Sequence, residues 1–207
     1  MSFPGMKTFS VFLRAVGLLA ALCLQLGAVA EAARFTTVVI DAGHGGKDKG
    51  AFRSGVRESH LTLQMAQRLE VLLKRKGLKT AMTRRSDTFV SLGSRVATAN
   101  RYRAAVFVSI HFNAYTDSRY RGVETFYGGP AGSKLARAIQ TRLASRLKTR
   151  NRGVKQRNFK VLRLTKCPAV LVECGFLSHG SERARCRSAA YQQTAAQAIC
   201  DGIIAVR

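Results

Sequence analysis

With 207 residues, 46% of them hydrophobic and 22% charged, the chain is sized for one domain with a substantial core plus a short appendage. That size and balance exclude a multidomain assembly and an intrinsically disordered polymer. Thirty-five Lys and Arg against 11 Asp and Glu give a formal net charge of +24, which favours anionic neighbours without naming a reaction.

From Ala15 to Ala30 the only polar side chain is Gln25, and Lys7 and Arg14 precede the run. This is the layout of a secretory signal peptide, with small residues for cleavage after Ala30 or Ala32. The apolar run is short against the roughly 20 residues that a bilayer-spanning helix requires, so export and release are expected over anchoring. Leu22 ahead of Cys23 argues against lipidation. The expected division is therefore a signal peptide at 1–32 and one folded domain at 33–207, with the mature protein in the periplasm or cell envelope.

Phe35 to Ile40 reads as a β-branched strand that stops at Asp41-Ala42-Gly43-His44-Gly45-Gly46. Leu61, Met65, Leu69, Leu72 and Leu73 then recur at helical spacing up to Gly77. Lys79 to Thr83 reads as a strand, Ser91 to Arg103 as a helix, and Ala104 to Ile110 as a buried strand ending at His111. Val123 to Tyr127 is a further strand. Leu135, Ile139, Leu143 and Leu147 form the apolar stripe of a helix at 133–148 whose other faces carry Lys134, Arg137, Arg142, Arg146 and Lys148. Phe159 to Leu164 and Ala169 to Val172 read as two more strands, and Ser181 to Val206 as closing helices. The alternation predicts a single α/β domain, a mostly parallel twisted sheet of about six strands with helices on both faces.

In such sheets the functional crevice lies outside the carboxyl ends of the strands. His44 follows the first strand, His111 the third, and Glu173 the strand 169–172, while Glu58 stands just ahead of the first long helix. Two imidazoles and a carboxylate are a ligand set of many catalytic zinc sites, which His44, Glu58 and His111 fit, although the same donors suit other divalent ions. Glu173 would then be free to take a proton from a water that the ion has made acidic. Taken singly, His44 suits a glycine turn, His111 a strand end, and Glu58 the first turn of a helix. Glu173, directly after Val170-Leu171-Val172, is costly to bury without a partner or a use. Four cysteines, Cys167, Cys174, Cys186 and Cys200, lie beyond the leader; their spacing is unlike a metal ribbon, and they serve equally as buried small hydrophobes or as disulfides, with Cys186–Cys200 the candidate bridge.

Four blocks in register resemble the zinc-dependent N-acetylmuramoyl-L-alanine amidases of the amidase-3 type, which cut septal peptidoglycan. They are Val38-Val39-Ile40-Asp41-Ala42-Gly43-His44-Gly45-Gly46, Arg57-Glu58, Phe107-Val108-Ser109-Ile110-His111-Phe112-Asn113-Ala114, and Pro168 to Ser178 around Glu173. Ala42 stands where that family commonly has proline, and His179 where it usually has asparagine. The resemblance implies zinc on His44, Glu58 and His111, Glu173 as the catalytic carboxylate, and hydrolysis of the amide between the lactyl group of N-acetylmuramic acid and L-alanine. His60, two residues from Glu58, points to another side of a helix and is not counted as a ligand.

Some relatives carry an inserted helix that plugs the site, and Tyr115 to Arg121 is too short to hold one, so an open, constitutively accessible site is expected, with an activator protein kept among the candidate partners. The competing readings are a differently specific zinc peptidase and a non-catalytic, basic envelope-binding protein. The basic helix face, continued by Arg150, Arg152 and Lys155, suits anionic envelope polymers or lipid head groups, whereas export and the lack of aromatic interleaving argue against nucleic acid.

Overall fold

The computed structural model describes residues 35–207; the expected leader at 1–32 lies outside the described residues. The strands are β1 (Thr37–Ala42), β2 (Phe52–Arg53), β3 (Val56–Arg57), β4 (Lys79–Met82), β5 (Ala105–Asn113), β6 (Val123–Tyr127), β7 (Asn151–Gln156) and β8 (Ala169–Phe176). The helices are α1 (Glu58–Arg75), α2 (Leu92–Asn100), α3 (Pro130–Leu147), α4 (Lys160–Arg163), α5 (Gly180–Cys186) and α6 (Ala189–Ile204). Six strands form one sheet in the order β4-β1-β5-β8-β6-β7, while β2 and β3 make a separate small hairpin. β4, β1, β5 and β8 run parallel; β6 is antiparallel to β8, and β7 runs parallel with β6.

The period of two along each strand explains the two helical layers. Val38, Ile40, Val106, Val108, Val170 and Val172 point to one face, where the apolar stripes of α1, α3 and α6 cover them. Val39, Phe107, Ala169 and Leu171 point to the other, covered by Val96 and Ala99 of α2 and Val161 and Leu162 of α4. Each fully buried Leu or Ile contributes about 1.5–3 kcal/mol, so α1, with Met65, Leu69 and Leu73 sealed completely, is fixed by its stripe more than by its end caps. No helix among the described residues is long and apolar enough to cross a membrane.

Three departures from the sequence reading are informative. Phe159 to Leu164 is not a strand: Val161 and Leu162 are adjacent and both buried, which a helical turn permits and a strand on one covered face does not. The sixth strand is instead β7, whose sequence Asn-Arg-Gly-Val-Lys-Gln carries one apolar side chain and joins the sheet as an edge through backbone pairing with β6. The Cys186–Cys200 bridge is not formed, and all four cysteines are free thiols.

Candidate metal centre

The carboxyl end of β1 turns directly into the glycine loop. His44 sits in left-handed backbone at φ 60°, unusual for a non-glycine residue, and Gly45 and Gly46 follow with positive φ. Two buried arginines hold this loop by its carbonyls. Arg84 donates to the carbonyls of Ala42 (2.9 Å) and Gly43 (2.9 Å), and Arg95 to those of Ala42 (2.6 Å) and His44 (2.7 Å). Arg95 is itself charge-balanced by Asp41 at 2.6 Å, whose carboxylate also accepts from Thr83 Oγ1 and Ser109 Oγ. The imidazole of His44 is therefore presented by a loop that buried charged hydrogen bonds hold in place.

Three side chains converge beneath it. His44 Nε2 lies 3.1 Å from Glu58 Oε1, and His111 Nδ1 lies 2.9 Å from the same oxygen. One ligand atom from each of the three falls within 4.8 Å of the others. Glu58 is the first residue of α1, and backbone N–H groups aim it: Phe112 donates to Oε1 at 3.0 Å and Ala51 to Oε2 at 2.8 Å. Burial opposes the charge on Glu58, yet hydrogen bonds from His111 and His44 hold its carboxyl well below the usual range.

His44 Nδ1 donates to Asp48 Oδ2 at 2.9 Å; the protonated ring donates from Nε2 to Glu58 as well, and the neutral ring held by Asp48 turns an Nε2 lone pair to the cluster. Burial lowers the His44 pKa, and the carboxylates of Glu58 and Asp48 more than reverse that, raising it. Neighbouring glycines make room: a Cβ on Gly43 would stand 2.4 Å from the His111 ring, and one on Gly50 only 2.6 Å from Glu58 Oε2 and from the His44 ring.

Glu173 stands one strand away. Register places it beside His111 on β5 and beside Glu124 on β6, so the three side chains share a face of the sheet. The residue is partly exposed, but its Oε2 is closed off from solvent and has no hydrogen-bond partner among the described residues. Burial, then the negative charges of Glu58 and Glu124, push its pKa well above the ordinary value. Glu124 is satisfied differently, taking Asn113 Nδ2 at 2.8 Å and Lys155 Nζ at 2.5 Å.

His44, His111 and Glu173 all border a cleft of about 500 Å³, with Phe89 and Phe159 among its walls. The four residues singled out in the sequence thus meet at one end of the sheet. His60 does not join them; it pairs with Asp87 at 3.1 Å on the surface. His179 caps α5, its Nδ1 accepting from the Glu182 N–H at 3.3 Å. Asp41, Asp48, Arg84 and Arg95 were not singled out. The available signal was a carboxylate inside Val-Val-Ile-Asp-Ala and an arginine at Arg95 inside the apolar spacing Leu92, Val96, Ala99.

The sequence at 38–205 matches the amidase-3 family of N-acetylmuramoyl-L-alanine amidases, which is most of the chain and all of the sheet except its first residue, Thr37. The chain belongs to that family. It is 42% identical over 172 residues to the N-acetylmuramoyl-L-alanine amidase LytC of Bacillus subtilis, covering 81% of this chain and 35% of LytC. The catalytic domain of CwlV from Bacillus (Paenibacillus) polymyxa is 40% identical with a TM-score of 0.80, covering 83% of this chain and 97% of that domain. The CwlD amidase of Clostridioides difficile, solved in complex with the GerS lipoprotein, is 32% identical with a TM-score of 0.79, covering 83% of this chain and all of that one. The chain spans about a third of the length of LytC, and its six-stranded, mostly parallel domain has the fold of the amidase catalytic domains.

Proposed function

We propose that this chain is an exported, zinc-dependent N-acetylmuramoyl-L-alanine amidase in which His44, Glu58 and His111 hold the ion and Glu173 is the catalytic carboxylate. The observation that carries the reading is the pairing of a convergent three-residue donor set with a carboxylate on the adjacent strand that has one sealed, unpartnered oxygen. The donor set fits zinc: two imidazoles and one carboxylate, oriented by Asp48 and by backbone N–H groups. Bound zinc supplies Lewis acidity, polarising a carbonyl and making a nearby water acidic.

The remaining steps belong to the chain. Burial raises the proton affinity of Glu173, which borders the cleft, and suits its carboxylate to accept the proton of the attacking water and hand it to the leaving amine of L-alanine. Phe89 and Phe159 on the walls of the cleft offer apolar surface for the groups flanking the scissile amide to lie against.

Residues 1–32 serve as the export signal. Lys134, Arg137, Lys148 and Arg150 are exposed and free to meet anionic envelope polymers or lipid head groups, whereas Arg146 and Lys155 are engaged with Asp201 and Glu124. CwlD is seen with a lipoprotein partner; here no helix lies between β5 and β6, so the site is open and measurable basal activity is expected without an activator.

Mass spectrometry of peptidoglycan digested with the protein and zinc, beside Glu173→Ala, tests the reading. Release of stem peptides with a free L-alanine amine, abolished in the variant, is the expected result; cleavage at another amide would replace the substrate, and binding without cleavage would favour a non-catalytic envelope protein.

A further inference from the structure

The connection from β5 to β6 carries an aromatic group that the cleavage chemistry does not use. Tyr115 is 51% exposed and stacks on Tyr120, with ring centroids 4.4 Å apart and 39° between planes. Tyr120 in turn lies 6.3 Å from the Phe176 ring, and the Arg152 guanidinium sits 4.8 Å from Tyr120 and 5.2 Å from Phe176. The Arg152 Nε is buried with no hydrogen-bond partner and its Nη1 donates to the Arg121 carbonyl at 3.4 Å, so two ring faces and one carbonyl hold this cation in place. The loop is pinned from below as well: the Tyr115 N–H donates to Ser178 Oγ at 3.1 Å, and the Leu177 N–H to the Asn113 carbonyl at 2.7 Å. A half-exposed aromatic plate on a loop this firmly tied is a preorganised surface, not a frayed turn.

Its position gives it a use. Phe176 ends the strand that bears Glu173, and Tyr115 follows four residues after His111, within about 13 Å along the exit of β5. The amide to be cut branches from a long glycan, and a polymer cannot enter the cleft, so it must run across the open end of the sheet.

We propose that Tyr115, backed by Tyr120 and Arg152, is a saccharide subsite on which a pyranose ring of the glycan strand next to the reacting muramoyl residue stacks. A pyranose presents a face of C–H groups that buries well on an aromatic ring, and the exposed Tyr115 ring accepts one where the neighbouring cleft accepts the acyl and peptide portion. This inference rests on the peptidoglycan reading of the same site.

The test separates the two. Binding of a peptide-free tetrasaccharide of alternating N-acetylglucosamine and N-acetylmuramic acid to the zinc-loaded protein is measured by calorimetry or NMR for the wild type, Tyr115→Ala and Tyr115→Trp. Affinity is expected to fall about tenfold in Tyr115→Ala and to be kept in Tyr115→Trp. In parallel, kcat/KM should drop by a similar factor for Tyr115→Ala on glycan-linked stem peptide but stay unchanged on a single muramoyl-peptide. No tetrasaccharide binding by the wild type, equal binding by Tyr115→Ala, or equal losses on both substrates would overturn the subsite. Normal tetrasaccharide binding that Tyr115→Ala weakens, with no amide cleaved by the wild type, would keep the subsite and remove the amidase reading instead.

Discussion

The first turn of α1 and the middle of β8 each deliver a glutamate to the same end of the sheet, and the two are treated in opposite ways. Glu58 accepts from two backbone N–H groups and meets two imidazoles, and its proton affinity falls despite burial. Glu173 has an oxygen with no partner and two negative neighbours, and its proton affinity rises. Identical side chains are thus set apart by their donors: one is held charged, the other is pushed towards its protonated form, which is the division that the proposed roles of ligand and proton carrier require. Sequence position alone does not distinguish them.

The largest effect that could break this contrast is the exchange of each carboxylate for its amide. Glu173→Gln is expected to lower kcat by two to four orders of magnitude, the range general acid–base groups supply, while the purified protein still carries its zinc by elemental analysis. Glu58→Gln should lose activity together with the zinc. If Glu173→Gln lost the metal, or Glu58→Gln kept it, the assignment of roles would be reversed.

Next in size is the support of the loop that presents His44. Arg95→Met would leave Asp41 buried with only the hydroxyls of Thr83 and Ser109, and removing one partner of a buried pair costs about 3–5 kcal/mol. Urea unfolding of the metal-free protein measures it; a loss under 1 kcal/mol would mean that the loop is held mainly by Arg84. A smaller, more local change is Asp48→Asn. It keeps the shape but weakens the hold on His44 Nδ1, and zinc affinity, measured by competition with a chelator, should fall about 10–100-fold with little change in unfolding midpoint. An unaltered affinity would show that the glycine loop alone orients the ring.

How much of this was legible in the sequence follows the same division. The parallel strands β1, β5 and β8 are buried on both faces, so they read as continuous apolar runs, and the polar residues that break those runs, His44 after β1, His111 within β5 and Glu173 within β8, are conspicuous. The β6–β7 edge was harder. β7 has one apolar residue because an edge strand at the sheet's margin is defined by backbone pairing, and Phe159 to Leu164 resembles a strand because a short, mostly apolar segment fits either period. Asp41, Arg84, Arg95 and Asp48 escaped because their importance is in contacts across 41 to 54 positions, or in the turn geometry that brings Asp48 onto His44, and neither leaves a spacing signature.

A third carboxylate sharpens the contrast by showing what an ordinary structural glutamate does. Glu70, on the buried side of α1, accepts from both terminal nitrogens of Arg85 at 2.9 and 2.7 Å and from Thr80 at 3.1 Å, tying the helix to β4 and the turn after it. The Arg85 hydrogen bonds, against the opposing effect of burial and with help from Thr80 and Lys74, bring its pKa to about 2. Because the folded value lies below the ordinary 4.5, the stabilisation is complete above pH 4.5 and is lost as pH falls from there towards 2. Arg85 is 61% exposed and water screens the pair, so Glu70→Gln should cost only about 1 kcal/mol at pH 7. The gap between wild type and variant should close on acidification through that window. A gap independent of pH would show that Glu70 acts by packing alone, whereas a gap that widened in acid would place it with Glu173, among the carboxylates whose burial disfavours charge.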